Sequence, residues 1–354
     1  MLKRPGLQGR IARALPAIVL LLFGCSENYP QTTLDPRGDF ARLVDQLFST
    51  TVLWAVVVFV LVEGALLVAI WKFRGRPDDP EPKQVHGNTV LEIVWTAIPA
   101  FILVMIAVPT VRTIFRTSDY AQGEDLVQIE VYGHQWWWEF RYPELGVVTA
   151  NEMHVPVGKT VNLKMGTVDV IHSFWVPQFA AKRDVMPRRT TPLWFKAEVT
   201  GTFPGQCAEF CGIQHAKMAF KVVSQTEAEF DAWVARQREG SPLVNAGVVA
   251  VDTTAPADSV EIRGRAMFQA AGCIGCHAMV GTPVAGVLQM RGPNLTHFGS
   301  RQTMVGGWLP NDDATLARWL SNPDSVKQGT LMVLPRKLTA DEIATLVAYL
   351  RSHQ

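Results

Sequence analysis

Cys207-Ala208-Glu209-Phe210-Cys211-Gly212-Ile213-Gln214-His215-Ala216-Lys217-Met218 is the densest run of metal donors in the 354-residue chain. The three-residue gap between the thiols lets one loop bring both sulfurs together. His172 lies 35 residues before Cys207, in Val170-Ile171-His172-Ser173-Phe174. Two thiolates, two imidazoles and a thioether are soft-to-intermediate donors, a mixture that suits copper. Two sulfurs can bridge two copper ions, with one imidazole on each. Met218 and a backbone carbonyl then complete weak axial positions. An unpaired electron shared by both ions leaves little to move on electron transfer. Zinc takes the same donor types in a tetrahedron, but it has no use for Met218 or for Glu209 between the thiols.

The residues around this run decide the fold that carries it. Val127, Ile129 and Val131 alternate with Gln128, Glu130 and Tyr132, and Val161, Leu163 and Met165 alternate with Asn162 and Lys164. Leu193–Val199 and Met218–Val223 are also strand-like. Gly158, Pro177, Gly201 and Gly205 punctuate them. The pattern predicts an all-β domain over 117–239, an antiparallel sandwich or barrel. Glu227–Arg238 reads as a short helix at its end.

Upstream, two stretches are long and apolar enough to cross a bilayer. Thr51–Trp71 carries one charge, Glu63, and Val90–Val111 carries one, Glu92. At about 1.5 Å per residue, each reaches roughly 30 Å, the thickness of the hydrocarbon core. Pro99 and Pro109 fall in the second, which membrane helices tolerate. The connection 72–89 holds Lys72, Arg74, Arg76 and Lys83. The outer flanks hold only Arg37 and Arg42 before, and Arg112 and Arg116 after. That asymmetry puts the connection in the cytoplasm and everything after residue 116 outside. Residues 25–116 therefore read as an N-terminal segment and a two-helix hairpin. Residues 1–24 read as a signal peptide: Lys3, Arg4, Arg10 and Arg13 precede a short apolar core, Ala14–Phe23. Leu22-Phe23-Gly24-Cys25 resembles a lipoprotein cleavage box, with Cys25 as the lipidated residue.

Downstream, residues 240–260 are small, Pro- and Thr-containing and almost uncharged, a flexible linker. Residues 261–354 read as an all-α domain. Its last helix is introduced by Thr339-Ala340-Asp341-Glu342, a capping box. Ile343, Leu346, Val347 and Leu350 follow at helical spacing. Cys273-Ile274-Gly275-Cys276-His277 is the attachment signature of a c-type haem. Two thiols bind the porphyrin edge and His277 supplies an axial nitrogen. A redox dithiol would not need His277, and no second Cys pair follows to complete a zinc site. The sixth ligand must come from the other haem face. The later methionines are Met279, Met290, Met304 and Met332, and Met279 is too close to His277 to wrap round.

Composition narrows the function. With 33 basic and 32 acidic residues, the chain is not a strongly basic nucleic-acid binder. Five cysteines, one alone and four in two close pairs, do not form a disulfide framework. Eleven tryptophans is a high count, and 48% hydrophobic residues suits either a soluble protein or one with one or two membrane helices.

Hairpin, donor-rich sandwich and CxxCH domain, in that order, resemble subunit II of haem-copper cytochrome c oxidases of the caa type, which carry a C-terminally fused cytochrome c. The resemblance covers essentially the whole chain after the leader. It implies a Greek-key, cupredoxin-like domain with a binuclear copper centre (CuA) and a class I cytochrome c domain. It implies copper ligands His172, Cys207, the Glu209 carbonyl, Cys211, His215 and Met218, and a magnesium ion facing the Glu209 carboxylate at subunit I. Met332, in Gly329-Thr330-Leu331-Met332, matches the second haem ligand, and Pro293 matches the residue supporting the axial His. Trp136, in Gly133-His134-Gln135-Trp136-Trp137-Trp138, matches the point where electrons enter the copper centre. Trp137 stands where the family more often has Tyr. Glu92, in Glu92-Ile93-Val94-Trp95-Thr96, matches a residue at the mouth of a proton channel of subunit I.

The implied setting is a bacterial cytoplasmic membrane with both redox domains on the periplasmic face. The implied partners are subunit I, subunit III, membrane lipid and an external donor, either a cytochrome c or a quinol dehydrogenase. The implied activity is reduction of dioxygen in subunit I with proton pumping. The same copper module would also serve a nitric oxide reductase, or an electron carrier without a catalytic partner. Residues 261–354 hold nine basic and six acidic side chains, and 117–239 hold twelve and fifteen. Opposite signs favour docking of the two domains.

Overall fold

The computed structural model describes residues 29–75, 84, 86–239, 241, 259–284 and 290–354. The expected leader, Cys25 and most of the expected linker lie outside the described residues.

Helix α1 (Asp39–Lys72) and helix α2 (Thr89–Thr117) form the hairpin. Both outrun their apolar windows. A 34-residue helix is about 51 Å long, well beyond the ~30 Å of a hydrocarbon core. The surplus at the start of α1 is folded onto the all-β domain. Phe40 is buried there, edge-on to Trp194 with ring centroids 5.5 Å apart. Asp39 Oδ1 accepts the Lys196 N–H at 2.8 Å, and Arg42 pairs with Glu198. A hydropathy window stops at Arg42, Asp45 and Gln46, whereas the helix starts before them because Asp39, Phe40 and Arg42 find partners on the sandwich. Asn88 caps α2, its side chain accepting from Val90 N and Leu91 N. Within 51–71 and 90–111 the apolar side chains face outward, a surface suited to lipid or another membrane subunit.

Ten strands make the sandwich: β1 (Leu126–His134), β2 (Trp137–Tyr142), β3 (Val147–Ala150), β4 (Glu152–Pro156), β5 (Thr160–Thr167), β6 (His172–Trp175), β7 (Arg183–Val185), β8 (Thr191–Lys196), β9 (Gly201–Cys207) and β10 (Ala219–Gln225). They form two five-stranded sheets, ordered β3-β2-β1-β5-β8 and β4-β10-β9-β6-β7. The sandwich is not wholly antiparallel, as the alternation had suggested. β1 pairs with β5 and β4 with β10 in parallel. Alternation reports which face of a strand is buried, not the direction of its neighbour. Here the chain crosses to the second sheet at β4 and returns to run beside β1.

Between the sheets lies an aromatic core. Trp138 meets Phe174 and Phe220 at 5.6 Å each, and Phe174 stacks on Phe220 at 4.6 Å. Gly205 faces this stack, and a Cβ there would stand 2.3 Å from the Phe220 ring. Helix α3 (Glu227–Arg238) closes one end with a Thr226–Glu229 capping box, its Trp233 lying against Tyr142.

The C-terminal domain holds α4 (Val260–Ala270), α5 (Asp313–Ser321), α6 (Pro323–Val326) and α7 (Ala340–Ser352). A two-residue ladder, β11 (Thr303–Met304) with β12 (Leu309–Pro310), interrupts the otherwise helical domain. α4 crosses α7 closely. At Gly264 a Cβ would lie 2.2 Å from that of Tyr349, so only glycine lets the helices meet. Phe268, Trp319, Leu346 and Leu350 fill the core.

Candidate metal centre and haem-attachment site

The donor run leaves the end of β9 and returns to β10. The Cys207 N–H donates to the Met218 carbonyl at 2.9 Å, which closes the loop at its base. The Ala208 N–H donates to Ser173 O at 2.9 Å, which ties the loop to the strand bearing His172. Close spacing therefore gathers the loop donors, and sheet pairing brings His172 to them. Cys207 Sγ is 3.8 Å from His172 Nδ1 and 3.7 Å from Cys211 Sγ. Cys211 Sγ is 3.7 Å from His215 Nδ1 and 3.8 Å from Met218 Sδ. The Glu209 carbonyl lies 3.2 Å from Cys207 Sγ. Each sulfur thus has one imidazole and one weak donor beside it. That set fits two metal ions bridged by two thiolates better than one closed tetrahedron. A disulfide would need the sulfurs about 2.05 Å apart.

The surroundings prepare these donors. His172 Nε2 lies 2.9 Å from Asp169 Oδ1, leaving Nδ1 turned to Cys207. A carboxylate on the far nitrogen sets the tautomer and orientation of a metal-binding imidazole. Asp169 is itself held by the N–H groups of Gln135 and Val170, at 2.7 Å each. Burial opposes the His172 imidazolium, but Asp169 and the Cys207 sulfur outweigh it and raise its pKa. Contact with Cys211 favours Cys207 as thiolate, and that thiolate holds the Cys211 proton on. A metal would displace this shared proton. Trp138 packs edge-on to His172 at 5.8 Å. Gly133 leaves the ring its space, since a Cβ there would come within 2.7 Å of His172 Cδ2.

Trp136 is 9% exposed, and its indole N–H donates to the Cys211 carbonyl at 3.0 Å. Gln135 Nε2 donates to the same carbonyl at 2.7 Å. A cleft of about 570 Å³ reaches Cys207 and His215 from the direction of α1, between Val44, Phe48 and Trp175. Glu92 stands apart from all of this, exposed in the first turn of α2 against Gly87.

In the C-terminal domain, Cys273–Gly275 form a single 3-10 turn after Gly272, whose φ of +76° suits glycine. The His277 N–H returns to Cys273 O at 3.0 Å, which sets the imidazole beside the thiols. His277 Nδ1–H donates to the Pro293 carbonyl at 2.9 Å, leaving Nε2 as the free donor. Burial keeps this imidazole neutral, the state that binds iron. Gly292 lies against the ring, where a Cβ would be 2.4 Å from His277 Cε1. Two free thiols beside a neutral, tautomer-fixed imidazole fit a covalently attached haem. Met279 and Met304 are buried in the core. Met332 is half-buried, its sulfur accepting the Trp319 indole N–H at 3.0 Å. Sequence reasoning missed Asp169 and Gly133. An Asp three residues before a donor His is a signal that could have pointed to the first.

The chain matches the families described as "Cytochrome C oxidase subunit II, transmembrane domain" over residues 38–113 and "Cytochrome C oxidase subunit II, periplasmic domain" over 145–225. It matches "Cytochrome c" over 262–354. A cytochrome c oxidase subunit 2 of Alkalihalophilus pseudofirmus is 38% identical over 96% of this chain and 96% of that one. The subunit 2 of Bacillus sp. PS3 is 35% identical over 95% and 94%, and that of Bacillus subtilis is 31% identical over 97% of each. Such a family implies a copper centre, a haem c, membrane anchoring of a periplasmic domain and a subunit I partner. The chain belongs to the cytochrome c oxidase subunit II family, in the form that carries a fused cytochrome c domain.

Proposed function

We propose that this chain receives electrons at a haem c on Cys273 and Cys276 and delivers them, through a CuA centre, to subunit I of a terminal oxidase. When bound, haem and copper supply the one-electron redox changes, and subunit I reduces dioxygen to water with proton pumping. His277 and Met332 hold the iron. His172, Cys207, the Glu209 carbonyl, Cys211, His215 and Met218 hold the copper pair. One observation carries the reading: the donor loop and the Met332 loop touch. Gln214, between Cys211 and His215, donates its side-chain amide to the carbonyl of Gln328, four residues before Met332. Trp136 joins the donor loop through Cys211 O, and this supports its role as the point where electrons enter.

The cleft at Cys207 and His215 supports delivery toward subunit I. The half-exposed Glu209 side chain, beside that loop, is our choice for the magnesium contact. Glu92, at the start of α2, suits a proton-channel mouth on the cytoplasmic side. The hairpin then crosses the bacterial inner membrane with both redox domains outside, anchored further by lipid on Cys25. An intact-mass spectrum with unmodified Cys25 would remove that anchor.

The test is a visible, near-infrared and EPR spectrum of the oxidised complex, with metal analysis. A c-type haem and a mixed-valence dicopper signal, with about two coppers per chain as the donor set requires, support the proposal. Haem without that signal overturns it and leaves a cytochrome-bearing anchor. Turnover with nitric oxide but not dioxygen would assign the chain to a nitric oxide reductase.

A further inference from the structure

Lys327 follows α6 and is 4% exposed, yet no carboxylate pairs with it among the described residues. Its Nζ donates to three backbone carbonyls: Lys217 O at 3.0 Å, Trp136 O at 3.2 Å and Val305 O at 3.4 Å. Three carbonyls use all three ammonium donors. Two of them belong to the copper-bearing domain: Lys217 O within the donor loop and Trp136 O beside it. A buried cation without a counter-ion is costly unless its hydrogen bonds are complete. Lys327 completes them only when the two domains are together.

The backbone around it is shaped for the same contact. Gly306 and Gly307 have φ of +73° and +74°, and both lie against the sandwich. A Cβ on Gly306 would stand 2.7 Å from Trp136 O, and one on Gly307 would stand 2.4 Å from Ala219 O. The Ala219 N–H donates to Gly306 O at 2.8 Å. At a second point, the buried Glu152 carboxylate accepts the Thr303 N–H at 2.7 Å and its O–H at 3.0 Å. Backbone contacts and buried polar groups mark a fitted interface rather than a charged rim of passing encounters.

We propose that Lys327 is the residue that latches the cytochrome domain onto the copper-bearing domain in a single seat beside Trp136. This rests on the electron-transfer reading above. The fused cytochrome is then a docked module. The linker supplies proximity and the carbonyl seat supplies position. A lysine suits the seat because its three donors diverge from one nitrogen, whereas the planar guanidinium of arginine cannot address the same three oxygens.

Hydrogen–deuterium exchange on the full-length, metal-loaded chain tests this. The reporters are the Ala219 and Thr303 amides, whose acceptors lie in the opposite domain. In the parent chain both should be protected. In Lys327→Met both should exchange about tenfold faster or more, while amides of β9 and α7 stay protected. Lys327→Arg should resemble the Met variant rather than the parent. Unprotected reporters in the parent, or equal protection in Lys327→Met, overturns the latch. If Lys327→Met also loses protection in α7, the Arg variant decides by the same two reporters. A single-turnover measurement separates the two readings. Intact reporters without haem-to-copper transfer would sink the electron-transfer proposal and leave the latch standing.

Discussion

The two redox sites of this chain are built in opposite ways. The haem-attachment site is local: Cys273, Cys276 and His277 sit together at one turn, and Gly292 and Pro293 reach in from a nearby loop. The copper-donor site is assembled by a sheet. His172 arrives on β6 and Cys207 at the end of β9, while Asp169, Gly133 and Trp138 pack behind the imidazole. The donor geometry of the sandwich rests on its own aromatic core. Cys273, Cys276 and His277 would hold a haem that, when bound, would become part of the cytochrome domain's interior. Removing a metal should therefore leave the sandwich folded, whereas removing the haem should cost the cytochrome domain its structure.

The sharpest way to break that contrast is the double variant Cys273→Ala, Cys276→Ala. It should lose covalent haem entirely, and helix α7 should lose exchange protection while the dicopper EPR signal survives. A cytochrome domain that stays folded without haem would erase the difference. Cys207→Ser should abolish the dicopper signal but cost the metal-free sandwich less than about 2 kcal/mol, read by urea denaturation. A larger loss would mean that the metal, not the aromatic stack, organises the domain.

Asp169→Asn probes the support behind the donors. It keeps the shape but weakens the hold on His172 Nε2, and copper affinity in a competition titration should fall roughly 10–100-fold. No change would reduce Asp169 to a loop-closing residue. The smallest effect concerns the join between the sites. With the domains seated on buried contacts, salt between about 0.05 and 0.5 M should slow haem-to-copper transfer less than about twofold. A steep salt dependence would mean that exposed charge, not the carbonyl seat, brings the domains together.

How much was legible follows the same division. CxxCH, the clustered donors of 207–218 and two apolar stretches are short-range patterns, and one reading of the chain finds them. The capping box at Thr339 is equally local, and the one at Thr226 is as local but was not read. The β1–β5 and β4–β10 parallel pairings were not legible, because a strand's own residues do not name its neighbour. The surplus of α1 was missed because polar residues end a hydropathy window, while Asp39, Phe40 and Arg42 beyond it are held by the sandwich. Lys327 was only one basic residue among nine in its domain.

By itself, the sequence determined which chemistry this protein carries: the donor types, the haem attachment and the membrane hairpin are set by residue identity and close spacing. Only the tertiary structure decided how those parts work as one unit. It put Asp169 behind His172, the Cys211 carbonyl against Trp136 and an ammonium from residue 327 onto a carbonyl of residue 136. The last two contacts join residues that sequence spacing does not relate, and the oxygens at Trp136 and Cys211 are backbone atoms that every residue has. Chain folding selects which of those atoms are left without water and must be satisfied by a partner.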